Sequence, residues 1–386
     1  MLSSSEMTDT FQESNTCIDV FSATSKMGIL CQQGDQYSFT FDNLWEYGNC
    51  PPYPSLQYQK WPHVSQDLFP VFLDACPDGW GTRLLQYATR LHSKTVLTPF
   101  DIFQMTDNTT REGAIEAGST WCNIHSDADM EELVQACRQV EECTDPNKAK
   151  EAISLLVNNG IGIGGARPKF NYVFDDALWI CKCPSIEDSY NVTGWEALNL
   201  TLARLAGINV PEFQYIPELN VLMVRRFDRD GINKLPYVSA RTLLSTEYSN
   251  YATLAAYCDP DDRKELFKRM VLNAFVGNFD DHLRNFGFLY LDGVWRLSPV
   301  FDIETIPVEE DFRYHTTKIN FLSAYSDIDN ILRDIGNFCI LEDEARSCIR
   351  LINNIIQINL DILVEKYHLK NDYSAVSPVY KYLLDA

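Results

Sequence analysis

One stretch constrains the fold of this chain more than any other, the segment 277–302. Within it two apolar runs, Phe286–Leu291 and Val294–Leu297, are separated by Asp292-Gly293, a pair typical of tight β-hairpin turns. Because antiparallel strands return to where they started, residues just before the first strand and just after the second should lie close together. The sequence therefore predicts a site at the open end of this hairpin.

Three oxygen-bearing side chains flank that end of the hairpin. Asp280 and Asn285 precede it, and Asp302 follows it. An amide and a carboxylate that converge, Asn285 and Asp302, suit a hard cation such as Mg²⁺, which takes oxygen ligands and keeps several waters. Asp280 is then placed to accept a proton from an attacking hydroxyl. The D-x-x-x-x-N spacing followed by a later aspartate is typical of the catalytic loop and metal-binding aspartate of protein kinases.

A glycine-rich segment, Gly160–Lys169, lies between a predicted helix and a predicted strand. Glycines let backbone N–H groups approach phosphate oxygens, and Arg167 and Lys169 add positive charge to a chain of net charge −22. The segment does not match the P-loop pattern and precedes a strand rather than a helix, which excludes Walker and Rossmann sites. A flexible linker would explain the glycines equally well, but the two cations favour a nucleotide-phosphate site.

Two further features favour a nucleotide site. Lys182 ends an alternating strand and Glu196 lies in the next predicted helix, the order in which kinase-like folds hold the lysine that contacts nucleotide phosphates. The run Arg225–Phe227 leads from a predicted strand into a polar connector, where a two-lobed kinase meets the adenine. Taken singly, each feature would fit ordinary surface charges better.

His282 follows two aspartates, so a metal-hydrolase cluster is an alternative interpretation of this segment. The six histidines are scattered, and none supplies the i, i+4 pair that such a site needs. We expect His282 to be a structural residue of the loop, hydrogen-bonded to the backbone, and we place it among the residues around the nucleotide.

Composition limits the class of protein. A chain of 386 residues with 45% apolar residues predicts a globular protein of one to three domains. Its acidic charge argues against a direct grip on nucleic acid. We find no apolar run long enough to span a bilayer and no secretory signal, and we therefore expect a cytoplasmic protein whose twelve cysteines are reduced.

Taken together, the motifs resemble those of the HipA family of toxin serine/threonine kinases, over residues 17–370. The most specific matches are G-G-A-R-P-K at Gly164–Lys169, R-F-D-R at Arg226–Arg229, G-N-F-D-D-H-L-R-N-F at Gly277–Phe286 and L-S-P-V-F-D at Leu297–Asp302. Weaker matches are P-D-G-W-G at Pro77–Gly81, R-E-G-A-I at Arg111–Ile115 and L-A-G-I-N-V-P at Leu205–Pro211.

The resemblance implies an α+β, two-lobed protein-kinase-like (HipA-like) fold with a small N-terminal β subdomain and a mostly helical C-terminal lobe. We expect a disordered start in residues 1–16, from their polar composition, and the N-terminal subdomain in 17–120. The small-lobe region with the glycine-rich loop would occupy 121–229, and the helical lobe with the catalytic and metal-binding loops would occupy 230–386.

Carried over by position, the resemblance makes Asp280 the catalytic base, Asn285 and Asp302 the Mg²⁺ ligands, and Lys182 the phosphate-contacting lysine. ATP and Mg²⁺ would be the cofactors, with further nucleotide contacts from Gly164, Gly165, Ala166, Arg167, Lys169, Arg225, Phe227 and His282. Some family members are switched off by autophosphorylation of a loop serine. This chain has Gly162 at that position and so no hydroxyl to modify there.

The implied reaction is transfer of the ATP γ-phosphate to a serine or threonine of a protein, such as an aminoacyl-tRNA synthetase or another translation factor. The implied partner is a HipB-like helix-turn-helix antitoxin, through which alone DNA would be contacted, and no membrane partner is expected. Two alternatives stay open: a nucleotide-binding pseudokinase that serves as a partner-binding protein, and a kinase for a lipid or small molecule. The acidic composition disfavours an anionic membrane.

Overall fold

The structure is a computed structural model. It describes residues 16–23, 25–43, 45, 51–90, 96–118, 128–143, 145–160, 162, 164–231 and 233–382. The prediction of a disordered start concerns residues 1–16, of which only Thr16 lies within the described part, where it begins a strand.

The N-terminal unit is built on an antiparallel five-stranded sheet. Its strands, in the order β4-β3-β2-β1-β5, are β1 (Thr16–Ser22), β2 (Ser25–Gln33), β3 (Gln36–Phe41), β4 (His63–Ser65) and β5 (Ile115–Ala117). Apolar and polar residues alternate along β3, so Phe39 and Phe41 share the buried face, as their spacing predicts.

Three helices accompany this sheet: α1 (Pro70–Leu73), α2 (Gly79–Arg90) and α3 (Pro99–Met105). Phe72 of α1 meets Phe39 edge to face, with ring centroids 5.1 Å apart, which fixes α1 on the buried face of the sheet. Helix α2 begins at Gly79, directly after the segment Pro77-Asp78.

A disulfide in this sheet corrects one expectation. The register of β1 and β2 places Cys17 opposite Cys31, and the two are bonded, with Cα atoms 4.1 Å apart. The prediction that all cysteines are reduced is therefore wrong for this pair. A separation of 14 residues becomes a cross-strand pair only when the hairpin register is known, so no local motif marks it. The other cysteines within the described ranges are free.

The small lobe surrounds a four-stranded antiparallel sheet of order β6-β7-β9-β8. In chain order its elements are α4 (Met130–Glu142), α5 (Pro146–Asn158), β6 (Lys169–Phe174), β7 (Ala177–Lys182), α6 (Val192–Leu205), β8 (Phe213–Ile216) and β9 (Val221–Arg225). Strands β6 and β7 are joined by a turn at Asp175-Asp176, with φ values of +50° and +54° that suit a tight hairpin. Cys181 and Cys183 are both buried, in the core that this sheet shares with α4 and α5.

The C-terminal lobe is mostly helical. Its elements are β10 (Arg229–Asp230), β11 (Asn233–Lys234), β12 (Tyr237–Ser239), α7 (Ala240–Leu244), α8 (Tyr251–Tyr257), α9 (Pro260–Val276), β13 (Gly287–Leu291), β14 (Val294–Leu297), α10 (Ile328–Arg333), α11 (Glu342–Lys366), α12 (Tyr373–Val376) and α13 (Pro378–Lys381). Strands β12, β13 and β14 form a three-stranded sheet. The fold class is thus the one the sequence predicts, a sheet-rich N-terminal part followed by a helical lobe.

The hairpin that organises the sequence is observed. Leu291 pairs with Val294 across Asp292-Gly293, whose φ values are +50° and +87°. The preceding helix α9 ends at Gly277 in the left-handed region, at φ +68°. A Cβ there would collide with Val379 of α13, so the chain can turn from α9 into the next loop only at a glycine.

Helix α11 qualifies our statement about membrane spans. By length and composition alone, this helix is long and apolar enough to cross a membrane, and it is the one such helix among the described residues. One of its faces, which includes Ile352, Ile356 and Leu363, is buried against the core, where α11 packs on α6 and α9. A helix that covers a protein core meets the same criterion, so this finding is weak evidence for a membrane.

Candidate active site

One cleft brings residues of the N-terminal unit, the small lobe and the helical lobe together around a cavity of about 260 Å³. The structure places every predicted site residue at its wall: Gly164, Gly165, Ala166, Arg167, Lys169, Lys182, Arg225, Phe227, Asp280, His282, Asn285 and Asp302. Their roles stay predictions, but their convergence from segments far apart in the chain is a property of the fold.

Lys182 is the centre of the charge arrangement in the cleft. It stands at the end of β7, and its ammonium group donates to Glu196 of α6 at 2.5 Å and to the carboxylate of Asp302. Burial would lower the pKa of Lys182, but the two carboxylates outweigh it and raise that pKa above its usual value. Lys182 is therefore fully charged at neutral pH.

Asp302 follows the hairpin and adopts the left-handed conformation, at φ +53°. Burial alone would raise its pKa, but the ammonium groups of Lys182 and Lys169 outweigh that effect and hold the pKa at about 2. Asp302 is therefore a carboxylate over the physiological pH range, the form in which it can coordinate a divalent cation.

Asp280 and Asn285 are joined inside one loop. The Asn285 side-chain amide donates to the backbone oxygen of Asp280 at 2.9 Å, which fixes the loop between them. Burial raises the pKa of Asp280, with smaller contributions from Asp281 and Asp302, while His282 acts in the opposite direction. A carboxylate with a raised pKa is a stronger base, which suits removal of a proton from a hydroxyl.

The glycine-rich loop supplies cations and backbone to the same cavity. Lys169 of β6 donates to the backbone oxygen of Gly164 at 2.7 Å, and burial lowers its pKa. Arg167 instead forms ion pairs with Asp188 at 2.8 Å and Glu304 at 2.6 Å. The charge of Arg167 is thus matched by two carboxylates, whereas Lys169 makes no direct ion pair with a described residue.

The wall next to β9 is aromatic. Phe227 lies against Phe301, with ring centroids 5.5 Å apart and planes inclined by 34°, a geometry that offers a flat apolar surface to a base. The side chain of Arg225 turns away to Glu212, at 3.0 Å. The backbone N–H groups of Arg225 and Arg226 donate to the oxygens of Glu212 at 2.8 Å and of Leu178 at 2.9 Å, so the ring of Phe227 is the contact surface that this connector offers to the cavity.

His282 departs from expectation. It lines the cavity, but its buried Nδ1 has no hydrogen-bond partner among the described residues, so the predicted side-chain hydrogen bond to the backbone is not observed. Its backbone oxygen accepts a hydrogen bond from the N–H of Asn285 at 2.8 Å. A buried polar atom left without a partner at the edge of a polar cavity points to a ligand that would satisfy it.

The donor set fits Mg²⁺ with a phosphate-bearing nucleotide. The oxygen ligands would be Asn285 and Asp302, and a cation held by two protein groups, waters and phosphate oxygens is the usual form of a Mg²⁺ site. No cluster of three or more His, Cys, Asp or Glu side chains suited to a metal occurs in the described ranges. The unpartnered His282 Nδ1 and the cationic Lys169 and Lys182 supply matching groups for phosphate.

Several residues of the site have no counterpart in the sequence-based prediction. Asp281 is buried and accepts hydrogen bonds from Tyr251 Oη at 2.6 Å and from the backbone N–H of Thr317 at 3.1 Å, and it contacts His315 Nδ1 at 2.8 Å. This network anchors the loop that carries Asp280. The second aspartate of D-D-H was the signal available, but its partners lie 30 to 36 positions away in sequence.

Comparison with known proteins adds family and fold. A family model described as "HipA-like C-terminal domain" matches residues 161–358, and one described as "HipA N-terminal domain" matches residues 18–116. The HipA of Shewanella oneidensis MR-1, solved in a toxin–antitoxin complex with HipB and operator DNA, superposes with a TM-score of 0.68 at 16% identity. That alignment covers 95% of this chain and 96% of that one.

A curated relative matches over a shorter region. Y4dM of Sinorhizobium fredii (strain NBRC 101917 / NGR234), named as a candidate kinase, is 29% identical over 169 residues. The match covers 37% of this chain and 41% of the relative, so the chain matches about two fifths of that protein's length.

Proposed function

The chain belongs to the HipA family, and on that premise we propose that it is a toxin-type kinase that transfers the γ-phosphate of ATP to a serine or threonine of a protein. The observation that carries this proposal is the contact of Lys182 with both Glu196 and Asp302, beside the loop that holds Asp280 and Asn285. These are the groups that phosphoryl transfer requires, and they meet in one cleft.

Each side chain then has a defined task. Asp280 accepts the proton of the attacking hydroxyl, and its raised pKa makes it a better base. Lys182 and Lys169 place positive charge beside the phosphates, where charge accumulates during transfer. Glu196 keeps Lys182 at the cavity wall. Mg²⁺, held by Asn285 and Asp302, would supply further neutralisation of phosphate charge.

The glycine-rich loop and the aromatic wall serve binding rather than chemistry. Backbone groups of Gly164–Ala166 line the phosphate side of the cavity, and Phe227 with Phe301 forms the apolar side that suits the adenine. Holding a nucleotide at both ends restricts its motion, and correct placement is the main contribution a protein can make to phosphoryl transfer.

We further propose a protein partner of the antitoxin type. The Shewanella oneidensis HipA was solved with HipB and operator DNA, and the N-terminal family model matches here as well. The net charge of −22 supports DNA contact through a basic partner rather than through this chain. A kinase that modifies a translation factor would act in the cytoplasm.

The experiment that tests the function uses labelled ATP. The purified chain is incubated with γ-labelled ATP, Mg²⁺ and, in separate reactions, the protein, lipid and small-molecule fractions of a cell extract. We expect label on serine or threonine in the protein fraction only, and none with Asp302→Ala, which removes a Mg²⁺ ligand. Label only in lipids or metabolites would support a kinase of another class, and ATP binding without transfer to any fraction would support a pseudokinase.

A further inference from the structure

The start of α2 lies directly on the glycine-rich loop. The backbone N–H of Trp80 donates to the oxygen of Gly165 at 2.8 Å, and the Arg83 guanidinium donates to the oxygen of Ala166 at 2.7 Å. Asp78, which precedes the helix, accepts a hydrogen bond from the N–H of Gly165. The N-terminal unit therefore holds this loop through three hydrogen bonds, all from the segment Asp78–Arg83.

The same aspartate reaches the catalytic loop. The second carboxylate oxygen of Asp78 forms an ion pair with Arg284, which lies one residue before Asn285. One side chain thus contacts both the glycine-rich loop and the catalytic loop, which line the same cavity. Because Asp78 belongs to the N-terminal unit, this unit links the glycine-rich loop of the small lobe to the catalytic loop of the helical lobe.

Glycines stand on both sides of this contact, where a side chain would not fit. A Cβ at Gly164 would collide with the carboxylate of Asp78, and a Cβ at Gly79 would collide with the backbone of Gly165. Gly79 also has a φ of +45°, which favours glycine. Glycines on both sides of the contact allow an approach that other residues would block, so we regard the contact as a built feature of the fold.

We propose that Asp78 is a positioning residue. Through it the N-terminal unit fixes the position of the glycine-rich loop relative to the catalytic loop and so controls ATP affinity. The inference rests on the proposed function for its consequence, but ATP binding can be measured without any catalysis. It also identifies a route by which a protein bound to the N-terminal unit reaches the nucleotide site, since a displacement of α2 moves Asp78.

The exposure of the pair decides what kind of effect to expect. The side chains of Asp78 and Arg284 are 41% and 43% exposed, so the pair adds little to global stability. Its effect should fall on the loop that it holds. A free loop must be ordered when ATP binds, and losing one such charged contact should weaken ATP binding about 5-fold.

The test measures ATP affinity in four full-length variants. Asp78→Ala removes both contacts, Asp78→Asn keeps an acceptor for Gly165, Arg284→Ala removes the ion pair alone, and the double variant combines Asp78→Ala with Arg284→Ala. The matched control is Asp19→Ala, because Asp19 is also an N-terminal aspartate in a surface ion pair, with Lys26 at 2.7 Å and a similar exposure of 46%. Kd for a fluorescent ATP analogue, KM for ATP, kcat and Tm are recorded for each.

We expect Kd and KM to rise about 5-fold in Asp78→Ala, less in Asp78→Asn, and no further in the double variant, with Tm and the Asp19→Ala control unchanged. A Kd for Asp78→Ala within twofold of wild type would overturn the proposal, and so would additive effects in the double variant. A lower Tm with unchanged Kd would show a purely structural role. Wild-type protein that binds ATP but transfers no phosphate would refute the proposed function and leave this inference standing on Kd.

Discussion

Lys182 on β7 is in ion-pair contact with Asp302, which lies 120 residues further along the chain, beyond the β13–β14 hairpin. The contact joins the small lobe to the helical lobe across the cleft. Because Glu196 is buried, with only 7% of its side chain exposed, Lys182 is also the counter-charge that its carboxylate needs. Lys182, which we assign to the nucleotide phosphates, thus also stabilises the contact between the two lobes.

Lys182→Met should reduce phosphotransfer at least 100-fold and also destabilise the protein. Removing one member of a buried pair leaves Glu196 uncompensated, at a cost of about 3 kcal/mol in the free energy of unfolding. Adding Glu196→Gln should restore most of that stability but none of the activity. Denaturant unfolding and labelled-ATP assays measure the two effects. Full stability in Lys182→Met would contradict the contact with Glu196.

Asp280→Asn should strongly reduce the rate of transfer while leaving ATP binding and folding close to wild type. An amide cannot accept the hydroxyl proton, and loss of a general base typically lowers the rate about 10²- to 10⁴-fold. The measurements are kcat with a protein substrate and Kd for ATP. Asp176→Asn, in the distant β6–β7 turn, serves as the control. Activity in Asp280→Asn close to wild type would exclude Asp280 as the base.

The rate should fall on the acid side of the pH profile. Burial raises the pKa of Asp280, and protonation removes its function as a base, so kcat/KM should increase as pH rises through that pKa and then level off. Asp302, with a pKa of about 2, stays ionised over the same range and should add no second step. A profile that is flat from pH 3.8, the usual pKa of an aspartate, up to neutral pH would show that no carboxyl group with a raised pKa is required.

Glu112→Gln should stabilise the protein at alkaline pH. Burial raises the pKa of Glu112 to about 8, an effect that Arg226 opposes and that Asp228, Asp74 and Asp78 increase. The folded state therefore retains a proton that the unfolded chain releases, and stability falls as pH rises from about 4.5 to 8.

Glutamine has no proton to lose, so the gain from Glu112→Gln should be about 1–3 kcal/mol near pH 8 and should vanish near pH 4.5. Thermal unfolding at both pH values provides the measurement, with Glu116→Gln as a neighbouring control. An equal gain at both pH values would mean that packing rather than ionisation is responsible.

The sequence predicts local structure here better than long-range contacts. The β13–β14 hairpin and the strand that ends in Lys182 were recognisable because turn residues and alternation act over a few positions. Asp78 meets Gly165 and Arg284 at separations of 87 and 206 residues, and no periodicity encodes such pairs. Recognition of the family motifs, rather than physical patterning, brought the Arg225–Phe227 connector into the predicted site.

The same distinction explains the two corrections. Whether Cys17 reaches Cys31 depends on the register of two strands, and whether His282 finds a hydrogen bond depends on atoms from other segments. Both are settled by the packing of the whole chain. Composition and motif spacing do not contain that information.

The collision between Gly277 and Val379 has a practical meaning for work with this protein. Val379 of helix α13 packs against Gly277, where the chain turns from α9 into the loop that carries Asp280. A protease nick, a truncation or a bulky purification tag that dislodges α13 should therefore disturb catalysis from a distance. Expression designs should therefore place any tag away from α13, so that this helix stays packed against Gly277.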